Sequence, residues 1–261
     1  MLLFREGITD WGFTSPSILA LYDWRTNEST QLTVPDLNQL SDVAQGPDSN
    51  TIAYTTFPDD RVVLFDVRHQ TARTITTGQN PAFAPDGNRL AIWRANKLVI
   101  IDLNTQHEEV VQELTDPGWY QGNLSICCMV WSPDGARLAY HLTNEVISGG
   151  KIQVHAEQIV VFDLQTRLET IAASDKFLQS PSWSPNGKFL SYIDGAFVGT
   201  ALLVMDVMNR CAVGKLQIDD LYSAFWSPEG NVIAIVYSAS SLYFVDVKRV
   251  FGGKTGELKC P

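Results

Sequence analysis

Four histidines, at 69, 107, 141 and 155, are the first residues to weigh as metal ligands or proton carriers. His69 and His107 follow aspartates in turns or fourth strands and read as exposed. His141 and His155 flank the stretch Thr143–Glu157, where a hairpin could bring them together beside Gln153 and Gln158. Their spacing fits no metal motif. No cofactor is expected, and His141 and His155 are simply the residues a metal would use. The four cysteines form no CxxC and no Cys/His cluster. Cys127 and Cys128 stand side by side in the apolar run Ile126-Cys-Cys-Met-Val-Trp131, and Cys211 and Cys260 stand alone. All four read as buried reduced thiols. Gly253-Lys-Thr255 imitates the end of a phosphate loop, but Lys248 occupies the place of its first glycine. No Gly-x-Ser-x-Gly nucleophile elbow occurs.

The carboxylates are more numerous, and they repeat. Asp66, Asp102, Asp163, Asp206 and Asp246 each end a β-rich run: VVLFDV, LVIIDL, IVVFDL, LLVMDV and LYFVDV. ILALYDW carries an earlier copy at Asp23. A second fragment recurs as Phe83-Ala-Pro85-Asp86-Gly87, Trp131-Ser-Pro133-Asp134-Gly135, Trp183-Ser-Pro185-Asn-Gly187 and Trp226-Ser-Pro228-Glu-Gly230. A worn copy is Gln45-Gly-Pro-Asp-Ser49. A catalytic group is normally unique, whereas a structural one recurs with the fold, so these residues read as architecture. Pro presets φ in a type I turn, and Gly closes it where φ is positive. The preceding aromatic can wedge between sheets. The strand-ending Asp can accept from free N–H groups of the next turn.

The elements that carry these residues follow from the period. Successive copies are 36 to 61 residues apart and cluster near 40. Strands of four to eight residues fill the interval, with no sustained helical periodicity. The expected class is all-β: a β-propeller, six four-stranded blades in one domain over 1–261, the first incomplete. The blades fall near 1–34, 40–77, 80–115, 126–172, 180–218 and 222–261. Six Asp copies against five turn copies imply that the chain enters part-way through a blade. MLLFRE, ILALYDW and STQLT are then its second, third and fourth strands. Truncation of a longer protein is expected over closure by a strand near Glu257-Leu-Lys-Cys260. The copy near Pro47 lacks the aromatic and the glycine, which predicts a looser blade. Two insertions are expected, near 115–125 and 143–157.

The fragments Trp131 to Gly135 with Arg137-Leu-Ala-Tyr140 and Val161-Phe-Asp-Leu164 resemble the TolB-type propellers and their WD40-like or PD40 repeat. Trp183 to Tyr192 and Phe83 to Ile92 match as well, and the resemblance covers roughly 40–250. It implies the fold strongly and function weakly, because relatives include envelope proteins and the propellers of peptidases.

A ligand would sit on the face opposite the Ser-Pro-Asp-Gly turns, where loop sequences vary. The candidates there are Trp11, Phe13, Asp60 of Phe57-Pro-Asp-Asp60, Trp119, Tyr120, Phe177, Asp194, Asp220 and Tyr222: aromatics beside acids on a rigid scaffold. The expected role is a non-catalytic binding or interaction module for a protein or peptide, with carbohydrate as a second class. The alternative is an oligosaccharide lyase or hydrolase, or the detached propeller of a prolyl-peptidase-type enzyme. The net charge of −10 argues against nucleic acid. No apolar run is long enough to span a membrane, and no signal peptide is visible. The compartment would be periplasmic or extracytoplasmic for a truncated chain and cytoplasmic otherwise.

Overall fold

The computed structural model describes residues 2–6, 18–23, 26, 28–48, 50–114, 122–148, 151–175, 177–195, 199–237 and 241–252. Trp11, Phe13, Trp119, Tyr120, the 253–255 motif and the strand expected near 257–260 lie outside them. The chain forms two compact units, Met1–Gln112 and Glu113–Pro261.

The first unit holds three antiparallel sheets. The first contains β1 (Leu2–Glu6), β2 (Ile18–Asp23) and β3 (Glu28–Leu32). The second contains β4 (Leu40–Gln45), β5 (Thr51–Thr56), β6 (Arg61–Asp66) and β7 (Thr71–Thr77). The third contains β8 (Gln79–Phe83), β9 (Arg89–Arg94), β10 (Lys97–Asp102) and β11 (Glu108–Glu113). Every sheet runs in simple sequence order. The sheet near Pro47 is complete. Asp48 accepts from the Asn50 and Thr51 N–H groups, so the worn turn is closed without its aromatic and glycine.

The second unit repeats the pattern. The fourth sheet contains β12 (Gly122–Trp131), β13 (Arg137–Ser148), β14 (Lys151–Asp163) and β15 (Glu169–Asp175). The fifth contains β16 (Leu178–Trp183), β17 (Phe189–Asp194), β18 (Ala201–Asp206) and β19 (Cys211–Gln217). The sixth contains β20 (Leu221–Trp226), β21 (Val232–Tyr237) and β22 (Ser241–Asp246). After β22 comes a single helical turn, α1 (Val247–Phe251), capped by the Asp246 carboxylate on the Arg249 N–H. Its Phe251 lies where a Cβ on Gly214 would be, so Gly214 makes room for α1 against β19. The stretch 143–157 is not a loop insertion. It lengthens the β13–β14 hairpin as far as the pair Ser148 and Lys151.

The strands are sorted by burial. β6 and β10, with apolar runs VVLF and LVII, are buried on both faces, whereas the fourth strand β7 is polar and mostly exposed. Alternation sends successive residues to neighbouring sheets. Ile52 and Tyr54 pack with Leu19, Leu32 and Leu40, while Ala53 packs with Leu90 and Ile92 of the next sheet. Leu190 and Tyr192 pack with Ala139 and Val161, while Phe189 and Ile193 pack with Ala224 and Ile235. The small residues Ala53 and Ala139 therefore let the following sheet approach.

The recurrent turns add contacts between sheets. The Gly87, Gly135, Gly187 and Gly230 N–H groups donate to Ala84, Ser132, Ser184 and Ser227, closing the same turn four times. Gly87 and Gly230 sit at φ +71° in both cases, and a Cβ on either would lie 3.3 Å from the proline of the preceding turn, Pro47 or Pro185. The Trp183 indole N–H donates to the Val130 carbonyl, and that of Trp226 to Ser191 Oγ. Arg137 lies 4.8 Å above the Trp183 ring.

The strand-ending aspartates accept from backbone. Asp102 accepts from Asn104 and Thr105, Asp163 from Gln165 and Thr166, and Asp206 from Asn209. Asp66 accepts from the His69 N–H and also meets its ring, so His69, exposed as expected, is engaged with the turn.

Candidate functional site

Two positions in the repeat gather the residues that differ between sheets. The first lies three residues before the turn aromatic: Asn80, Cys128, Ser180 and Ser223, with Asp42 in the worn copy. All five first strands slip register here, between Leu40 and Val43, Gln79 and Ala82, Cys127 and Val130, Gln179 and Ser182, and Leu221 and Ser223. Asn80, Cys128 and Ser180 take left-handed backbone, at φ +52°, +57° and +52°. A bulge of this kind re-aims a side chain and breaks the pairing locally.

The second position lies six residues before the strand-ending Asp: Asp60, Asn96, Glu157 and Thr200. It latches the sheet that follows. The Asp60 carbonyl accepts from the Gly78 N–H at 2.7 Å, Glu157 Oε2 from Leu178 at 2.6 Å, and Thr200 Oγ1 from Leu221 at 3.2 Å.

In the first unit these positions border a cleft of about 310 Å³, lined by Asp59, Asp60, Gln79, Trp93, Arg94 and Asn96 among others. Asp60 accepts from the Gln79 side chain at 3.0 Å. The arginines nearby have closer partners than the two aspartates. Arg94 holds Glu108 at 2.6 Å, and Arg61 holds Asp36 at 2.9 Å and, more loosely through Nε, Asp59 at 3.8 Å. Phe57, in the same loop as the two aspartates, is 58% exposed.

In the second unit the structure places Phe177 beside Asp194: the Gly195 N–H donates to the Phe177 carbonyl, and Asp194 meets Lys215 at 3.6 Å. Phe177 and Tyr222 are exposed, and Asp220 has left-handed backbone just before β20. The Ser180 hydroxyl donates to the Tyr222 carbonyl.

The fourth sheet holds a cluster that the sequence reading did not assemble. Cys127 Sγ lies 3.3 Å from His141 Nδ1, His141 Nε2 lies 3.2 Å from Glu157 Oε2, and the two sulfurs touch at 2.9 Å. His141 and Glu157 are 8% and 7% exposed, Cys127 is half-buried and Cys128 exposed. Burial lowers the His141 pKa, with the Glu157 carboxylate pulling it partly back. Of the cysteines read as buried thiols, Cys128 is at the surface, because its bulge turns it outward, and Cys211 is disulfide-bonded. The hairpin does not set His141 opposite His155. His141 pairs with Ile159, while His155 falls in the bulge facing Asn144 and Glu145. Among the described residues no group of three metal-ligating side chains converges.

No family model matches the chain, and no curated protein does. Solved structures match it over most of its length. TolB from Acinetobacter baumannii is 20% identical with a TM-score of 0.61, covering 88% of this chain and 57% of that one. The chain has the fold of the TolB-type β-propellers. It thus spans little more than half the length of the TolB chain. A structure of a nidogen/laminin complex matches at 9% identity and TM-score 0.61, covering 94% of this propeller and 88% of that chain. Oligogalacturonate lyase in complex with manganese matches at 14% and 0.50, over 95% and 83%. At such identities the likeness concerns the fold.

Proposed function

We propose that this propeller is a binding module for a protein or peptide and that its ligand presents a positive charge to the cleft of the first unit. The observation that carries this reading is the charge balance there. Asp59 and Asp60 stand at the cleft while Arg61 and Arg94 are already paired with Asp36 and Glu108. The exposed Phe57 offers apolar area beside them, the combination of aromatic anchor and charged rim common at recognition surfaces. The acidic chain as a whole would draw a cationic partner in. A propeller of like fold is solved in the nidogen/laminin complex.

The test is titration with an array of Lys- and Arg-bearing peptides and a matched neutral array. Binding should favour the basic set. The Asp59→Asn/Asp60→Asn double variant should bind the basic peptides roughly tenfold more weakly at low salt, and the gap should shrink at high salt. Asn is suited to position 60 because it tolerates the left-handed backbone at φ +50°. Equal binding of both arrays would overturn the reading.

A further inference from the structure

We propose that Cys127 and Cys128 form a dithiol–disulfide exchange site: Cys127, with His141 as its base, takes up half of a solvent-exposed disulfide, and Cys128 releases it. This is separate from the cleft of the first unit.

The geometry supplies each part. Adjacent residues of a regular strand point to opposite faces, so two neighbouring cysteines would normally be apart. The bulge between Cys127 and Val130, with Cys128 at φ +57°, brings both sulfurs into contact at 2.9 Å. His141 is neutral because it is buried. Glu157, anchored by the Leu178 N–H, accepts from the Nε2–H and so fixes the tautomer. The Nδ1 lone pair then faces Cys127 Sγ at 3.3 Å. Nucleophile, base and orienting carboxylate are in line. The fold does not require this chemistry at that place. In the second sheet the corresponding residues are Ser41, Asp42 and Thr55, joined by ordinary hydrogen bonds of 2.6 and 2.8 Å.

The reaction balances without a cofactor. The Cys127 thiol gives its proton to His141 Nδ1, and the thiolate attacks one sulfur of R–S–S–R′. The R–S–S–R′ bond breaks, a Cys127–S–S–R bond forms, and R′–S⁻ leaves with the proton from the imidazolium. The Cys128 thiolate, its proton lost to His141, then attacks the Cys127 sulfur and expels R–S⁻, which takes that proton. The pair has lost two electrons, and the incoming disulfide has become two thiols. Neighbouring Cα atoms are only about 3.8 Å apart, below the usual range of about 4.4–6.8 Å for a disulfide. The Cys127–Cys128 bond is therefore strained and easily reopened by a thiol, which suits a reversible site.

The full chain, mildly reduced, is incubated with oxidised glutathione, and the peptide containing residues 127 and 128 is followed by mass spectrometry. Wild type should end with that peptide lighter by two hydrogens and two glutathione thiols released. Cys128→Ser should stall as a mixed disulfide on Cys127. Cys127→Ser should react at Cys128 roughly tenfold more slowly or worse, and His141→Gln should slow capture at Cys127 by a similar factor. If His141→Gln fails to fold, the two serine variants decide. Equal capture rates at the two cysteines, or a wild-type reaction that stops at the mixed disulfide, would overturn the proposal.

Discussion

Trp183 is buried in the core between the fourth and fifth sheets, donates its indole N–H to Val130 and lies under Arg137. Its removal leaves a large cavity and removes the hydrogen bond to Val130, so Trp183→Ala should cost roughly 3–5 kcal/mol, read from the denaturation midpoint in urea. Capture of a disulfide at Cys127 should persist below the new midpoint, because the thiol pair is set by the β12–β13 ladder and by His141. Trp183 was legible in the sequence because its surroundings recur. Cys127, His141 and Glu157 were not legible as a group. They come from three different strands: Cys127 faces His141 directly across the ladder and Glu157 lies diagonal to it, and only Cys128 owes its place to the register slip after Cys127. Alternation alone would have separated the two cysteines. The sequence marks out His141 and implies a hairpin that could bring it to His155, but register, which decides the pairing, is not written in it.

At the scale of the element, the turns determine both legibility and stability. The hydrogen bond from the His69 ring, then its N–H, holds Asp66 below the usual carboxylate range. The Thr105 N–H foremost does the same for Asp102, and the Thr166 N–H for Asp163. Burial pushes Asp206 up, but the Asn209 donors and Lys188 outweigh it and leave its pKa lowered. A depressed folded pKa means that the unfolded chain binds the more protons in acid. The contribution is therefore complete above about pH 4, the ordinary Asp range, and is lost as pH falls through the lower folded values. The melting temperature should begin to fall below about pH 6.5, where the unfolded chain protonates His141 and the folded chain resists it, and fall further below about pH 4, where Asp163→Asn should fall less steeply than wild type. The turn glycine supplies a second test. Gly230→Ala places a Cβ at φ +71° and 3.3 Å from Pro185, and should cost about 1–2 kcal/mol, whereas Gly199→Ala, with open space around it, carries only the backbone strain.

At the scale of the whole molecule, the repeat made the fold readable before any contact was known. Spacing near 40, one turn and one strand-ending Asp per interval, and apolar middle strands led to sheets in sequence order. Where copies were worn, less was readable, for physical reasons. Backbone hydrogen bonds at Asp48 restore a turn whose aromatic and glycine are missing. The long interval before Asp163 was absorbed by lengthening a hairpin, since extra residues in a paired ladder satisfy their own polar groups.

Within the second unit, Gly187 rests near Pro133 and Gly230 on Pro185, and each apolar core joins one sheet to the next. Among the described residues of the unit, no contact of this kind skips a sheet. Under tension such an assembly behaves as a row of bonded links. Within the unit a pull on the sixth sheet is passed to the fifth, so the unit should yield in steps of one sheet's contour length, and a weakened turn should move the first break to its own position.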